Sequence, residues 1–140
     1  MRKHIVPDVI VDQDIATLPS TATVHDAASL MRDRGVKSVL VTRANKLVGI
    51  ITVTDIVNRA VAKGLDPKET KLSKIMTKEP KTVDASATPA KALRVMQDGK
   101  FWHIPVVSGE EIVGVVSRSN FEGCDMVQAE FEIELWEHMR

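Results

Sequence analysis

The chain is poor in the residues that usually announce chemistry. Its 140 residues include one cysteine, Cys124, which excludes an intrachain disulfide and fits a reducing compartment. Cys124 reads as a helix residue rather than a nucleophile. Four histidines, His4, His25, His103 and His138, are scattered without metal-ligand spacing, so no metal site is expected. There is no P-loop, no dinucleotide-binding glycine fingerprint, no nucleophile elbow and no carboxylate pair in an acid–base arrangement, so no enzyme is expected. No apolar run approaches the roughly 18–20 residues that cross a bilayer, and the opening MRKHIVPDVIVDQD lacks a signal-peptide core. A cytoplasmic location without a membrane partner is the expectation. Net charge is also missing: 19 Lys and Arg balance 19 Asp and Glu, so the chain lacks the basic excess that phosphate neutralisation on nucleic acid requires.

That zero conceals an asymmetry. From Phe121 onward the chain carries Glu122, Asp125, Glu130, Glu132, Glu134 and Glu137 against Arg140 alone, which leaves the body before it net basic. A basic body can draw an anionic small ligand to one place while an acidic tail meets a partner at another. The tail reads as a helix over 121–139, with Val127, Phe131, Leu135 and Met139 in an i, i+4 ladder widened by Met126 and Trp136. Such a stripe suits a core or dimer seam, or a face for an effector.

What the chain does have is duplication. At a constant offset of 65, without a gap, Thr17 meets Thr82, Ala22-Thr23 meets Ala87-Thr88, and Ala27, Met31 and Asp33 meet Ala92, Met96 and Asp98. Val41 likewise meets Val106, and Val48-Gly49 meets Val113-Gly114. Two copies are too few for an array and suit a pseudo-symmetric pair around one core, with a cleft where the halves meet. The expected organisation is a single module over 1–140. Repeat one covers 9–62, a breaker-rich connector 63–71, and repeat two 74–121, with the C-terminal helix running on to 139.

Each repeat reads as strand, helix, two-stranded hairpin, helix, so the expected class is α+β. Thr23 and Asp26 form a capping box before a helix whose apolar face is Ala27, Leu30 and Met31, with Gly35 at its stop. Thr88-Pro89 opens the equivalent helix, faced by Ala92, Val95 and Met96, with Gly99 near its end. The β-branched runs 38–42 and 47–52, then 103–107 and 112–117, are joined by short polar turns. Thr54 and Ser119 are placed to cap the helices that follow.

The segment Gly49-Ile-Ile-Thr52-Val-Thr54-Asp55, at a strand end opening into a helix, is where chemistry concentrates. It resembles the cystathionine β-synthase (CBS) domain family, whose ligand motif is Gly, apolar, any, Ser/Thr, any, any, Asp. Ile75-Met76-Thr77, Thr82-Val83 and His103-Ile-Pro105-Val-Val add to the likeness, which covers nearly the whole chain as a tandem pair. The resemblance implies two β-α-β-β-α repeats packed pseudo-symmetrically through their sheets, which commonly associate as flat dimers through their helices. It also implies an adenine nucleotide or related adenosyl compound as regulatory ligand, with no catalytic cofactor.

The residues suit that ligand. Asp55 can accept hydrogen bonds from both ribose hydroxyls, while Thr52 and Thr54 alternate along the strand end near helix amides that favour phosphate. The plainer reading is that Thr54 and Asp55 are helix caps and Gly49 a bulge. By resemblance the same site would include Lys37 and Ser38 facing the phosphates, together with Thr77, Thr82, Val83, Phe101, Trp102, His103 and Pro105. Trp102 stacks on adenine, fills the pocket or packs as a ring at the pair interface, and His103 reads as a satisfied structural histidine more than as a proton-transfer group. The second site would hold Thr17, Ser117 and Ser119, but Asn120 replaces the aspartate and Asp12 stands opposite Thr77, so one competent nucleotide site is expected. With the pair filling the chain, output is expected in trans, as a homodimer or through an unidentified effector protein. The competing expectation is an interaction module with a non-functional ligand site, acting through its acidic C-terminal helix.

Overall fold

The computed structural model describes residues 4–6 and 15–121. Asp12, Cys124, His138 and the helix expected to reach Met139 lie outside these residues. Two compact units emerge, one formed by the described residues of 15–80 and the other by 4–6 together with 81–121.

The first unit begins with strand β1 (Thr17–Pro19), followed by helix α1 (Val24–Arg34). Thr23 starts α1 through the expected capping box: its hydroxyl accepts from the Asp26 amide at 3.1 Å, and Asp26 accepts from the Thr23 amide at 2.9 Å. Ala27 and Met31 are buried, and Gly35 ends the helix in the left-handed region at φ 65°. The hairpin of β2 (Ser38–Arg43) and β3 (Lys46–Thr52) turns through Ala44 and Asn45, both at positive φ as a twist-matched two-residue turn requires. Helix α2 (Val53–Ile56) continues as a π-helical turn, Val57–Val61. A short helix α3 (Leu72–Ile75) then leads to β4 (Thr77–Lys78).

The sheet order is β1-β2-β3-β4, with β1 parallel to β2 and the other pairs antiparallel. Apolar residues from α1, α3, the π-helical turn and both central strands close the core: Val24, Ala27, Met31, Val39, Val41, Ile51, Ala60, Leu72 and Ile75. The segment 72–78, which by repeat pattern overlaps the opening of the second copy, thus pairs with the first copy's sheet.

The second unit has a three-stranded mixed sheet, ordered β5 (Val83–Asp84), β6 (His103–Ser108), β7 (Glu111–Ser117). Helix α4 (Pro89–Gly99) opens with the Thr88 hydroxyl accepting from the Lys91 amide at 3.2 Å and proline in the first turn. The left-handed stop falls on Lys100, at φ 60°, one residue later than the glycine the sequence offers. Gly99 instead lies beneath the Phe101 ring, where a β-carbon would come within 2.0 Å of Cε1. The chain leaves β7 in a 3₁₀ turn, Arg118–Phe121.

Residues near the N-terminus complete this unit. Ile5 is fully buried with Val83, Met96, Ile104, Val106 and Val116. The Ile5 and Val6 amides donate to the Ala87 and Ala85 carbonyls at 3.0 and 3.1 Å. In the first unit the Leu72 and Ser73 amides make the corresponding bonds to Ala22 and Ser20, at 2.8 and 3.3 Å. The acceptors keep the 65-residue offset while the donors stand 67 apart (Ile5 to Leu72), so the leading segments carry a two-residue difference that an ungapped comparison passes over. Asp12, set opposite Thr77 by the ungapped register, lies beyond the described residues.

Candidate functional site

At the end of the β2–β3 hairpin the pleat and the helix start bring several sequence-predicted residues together. Ser38 pairs in register with Thr52, and the Val53 amide donates to the Lys37 carbonyl at 3.2 Å. Thr52, rather than Thr54, is the cap of α2. Its hydroxyl accepts from the Asp55 amide at 3.2 Å, and its own amide donates to Asp55 Oδ2 at 3.0 Å. Thr54 is left exposed on the first turn, Lys37 is exposed and Ser38 is buried. One Asp55 oxygen is therefore spent on the cap. The other, Oδ1, has the Arg59 Nε 3.7 Å away, an ion pair longer than a hydrogen bond. The Asp55 side chain is 12% exposed.

Strand β4 brings Thr77 beside this turn, with Thr77 opposite Ile50 and Lys78 opposite Gly49. The approach depends on Gly49: a β-carbon there would stand 2.4 Å from Met76 Sδ and 3.1 Å from the Thr77 carbonyl oxygen. Close approach is thus one reason for this glycine, and the expected bulge falls beside it: Val41 pairs with Gly49 and Thr42 with Leu47, which leaves Val48 as the extra residue of β3.

In the second unit the matching turn is built from the same parts to a different end. His103 pairs with Ser117, and the Arg118 amide donates to the Trp102 carbonyl at 3.0 Å, matching the Val53–Lys37 bond at the 65-residue offset. Asn120 Oδ1 accepts from the Ser117 amide at 2.7 Å and from the Ser117 hydroxyl at 3.3 Å, while the Ser117 and Ser119 hydroxyls bond each other. The amide side chain has no second acceptor oxygen. Thr17 begins β1 of the first unit and is exposed, as is Thr82 just before β5.

Trp102 is 58% exposed and carries the Arg118 guanidinium 4.5 Å from its ring centroid. Arg118 is fixed there by bonds to the Phe101 and Met96 carbonyls at 3.2 and 3.0 Å, so within its own unit Trp102 is a cation-stacked surface ring. Val83 and Pro105 are buried in their own sheet and Phe101 packs on its core, so these three offer a ligand mainly backbone.

Arg59 and Arg118 are the site-adjacent residues that sequence reading passed over. For Arg59 a signal existed, the i, i+4 spacing from Asp55. Among the described residues no group of three His, Cys, Asp or Glu is arranged to hold a metal ion, and no helix is long and apolar enough to cross a membrane.

Two α+β units, each with a hydroxyl-and-Asx turn at the end of its long hairpin, define a duplicated α+β fold. The CBS domain family model matches residues 6–62 and 72–121, and the chain belongs to this family. It is 38% identical over 101 residues to a CBS domain-containing protein of Arabidopsis thaliana, covering 71% of this chain and 19% of that one. The chain therefore spans about a fifth of that relative's length.

Among solved structures, a CBS domain protein from Pyrobaculum aerophilum complexed with AMP matches with TM-score 0.80 and 25% identity, over 88% of this chain and 95% of that one. A hexameric CBS-CP12 protein from bloom-forming cyanobacteria matches with TM-score 0.82 and 27% identity, over 91% and 75% of the two chains.

Proposed function

We propose that the chain is a regulatory module without catalytic activity, which binds an adenine nucleotide or related adenosyl ligand at the Thr52–Asp55 turn and signals in trans. The observation that carries this reading is the division of labour in Asp55. One oxygen fixes the carboxylate to the Thr52 amide and the other keeps its lone pairs, as a vicinal diol acceptor requires. Exposed Thr54, buried Ser38 and the Lys37 ammonium stand at the same sheet end, with donors and charge suited to phosphate. Thr77 on β4 adds a hydroxyl beside them. The AMP complex of the Pyrobaculum relative supports AMP first, with ADP and ATP next and NAD and S-adenosylmethionine after them.

Ligand binding stabilises a native state in proportion to its saturation, by about 2.7 kcal/mol at a hundred times the dissociation constant. Thermal unfolding with each of the five compounds should give one or more upward shifts of roughly 5–10 °C. No shift with any of them at millimolar concentration would favour the interaction module with a non-functional site. Turnover of a bound nucleotide by the purified chain would overturn the non-catalytic assignment.

Val53, Val57 and Val61 support self-association as the route of output. They form a row along α2 and its π-helical continuation, 45, 49 and 62% exposed, an apolar face that a homodimer can cover symmetrically. Sedimentation at micromolar concentration should show a dimer.

A further inference from the structure

Arg59 lies on the π-helical turn Val57–Val61, four residues after Asp55. Its Nη1 donates to the Ile75 and Met76 carbonyls at 3.1 and 3.3 Å, at the end of α3 immediately before Thr77. Its Nε faces Asp55 Oδ1 at 3.7 Å. This cation lies between the Asp55 carboxylate and the partial negative charge of two carbonyls on neighbouring segments. One guanidinium neutralises both, and its planar fork fixes their spacing in a way a lysine ammonium does not reproduce.

We infer that Arg59 is a positioning residue that holds the Asp55 carboxylate and the Thr77-bearing strand β4 in one arrangement, so that a ribose diol meets an acceptor already oriented. The inference rests on the nucleotide reading of the Asp55 turn. The 3.7 Å separation matters, because it is long enough to orient Oδ1 without consuming the lone pairs a hydroxyl needs. Pre-orientation of this kind raises affinity by lowering the ordering cost of binding. At the 65-residue offset the second repeat has Cys124 in place of the arginine, alongside the loss of its aspartate.

The test has a ligand-free arm and a ligand arm. In the free protein, hydrogen exchange is followed at the Glu79 amide, which ties the end of β4 to the Val48 carbonyl at 3.2 Å. Arg59→Met and Arg59→Lys should both speed that exchange several-fold, and unchanged exchange in both would overturn the inference. In the ligand arm, AMP, adenosine and 2′,3′-dideoxyadenosine are titrated into wild type and both variants.

Positioning through Asp55 predicts roughly tenfold weaker binding of AMP and adenosine alike, the scale on which outer partners of ligand-holding groups act. It predicts no change for the dideoxy compound and no further loss on an Asp55→Asn background. A loss confined to AMP, or one that Arg59→Lys restores, would mean that the charge alone acts on phosphate and would overturn the positioning role. A wild type that binds none of the three would instead overturn the nucleotide reading, and the exchange result would still report on the Arg59 tie.

Discussion

The turn at Thr52–Asp55 and the turn at Ser117–Asn120 share a hairpin end and an Asx side chain that accepts from the amide three residues earlier. They differ in what is left over. Asp55 gives Oδ2 to the Thr52 amide and keeps Oδ1, whereas Asn120 spends its single carbonyl oxygen on Ser117. Exchange of a carboxylate for an amide therefore preserves the fold and removes the acceptor. On the proposed reading Asp55 is cap and ligand group at once, and the number of oxygens decides whether the second role is open to an Asx residue.

Asp55→Asn should break this contrast most strongly. It keeps an oxygen for the cap, so the unfolding midpoint should stay close to wild type, while the loss of a charged acceptor from two hydroxyls should weaken nucleotide binding by a hundredfold or more, at about 1.5–3 kcal/mol per bond. Calorimetric titration checks it, with Asn120→Ala as the partner variant expected to change affinity little. Equal losses from the two variants would end the one-site reading.

Gly49→Ala sharpens the contrast from the β4 side. Its β-carbon meets Met76 Sδ at 2.4 Å and the Thr77 carbonyl at 3.1 Å. The sulfur can move but the carbonyl cannot, so overpacking should cost about 1–3 kcal/mol in chemical denaturation and displace Thr77.

The helix stops give a smaller effect of opposite sign in the two units. Gly35→Ala should destabilise by about 1 kcal/mol, whereas Lys100→Gly, at the same left-handed stop in the other unit, should stabilise by about 0.5–1 kcal/mol, both read from urea midpoints.

The smallest effect is on acid sensitivity. The Ser86 hydroxyl and amide hold the Asp84 carboxyl below its ordinary value of 3.8, and the Thr23 amide and hydroxyl do the same for Asp26. A lowered folded value favours the native state above the ordinary value, and that contribution is lost as pH falls through the lower one. The unfolding midpoint should therefore be insensitive to these two groups above about pH 5 and drop below 3.8, with Ser86→Ala blunting the drop.

Local features were legible from sequence because their causes are local. The capping residues Thr23 and Thr88, the buried faces of α1 and α4, and the hairpins follow from periodicity and turn chemistry within a few residues. The Asp55 turn was legible through its motif, although the cap proved to be Thr52 and not Thr54.

What escaped depends on distant backbone. Strand β4 is two residues long and finds β3 only in the folded chain, so no periodicity marks it. Arg59 and Arg118 bond to carbonyls, which every residue has and no pattern reveals. Lys100 occupies a conformation for which sequence reasoning looks to glycine, and the neighbouring Gly99 drew attention away because its own purpose is to admit the Phe101 ring.

The bonds from Ile5 and Val6 to Ala87 and Ala85 set an order of events. The unit within 15–80 is contiguous and can close as soon as its own residues are available. The other unit needs a residue from the start of the chain to fill its core, a contact that spans from 5 to 87. Long-range closure of that kind slows folding. During synthesis Ile5 can complete that core only after Val83, Ile104 and Val116 have emerged.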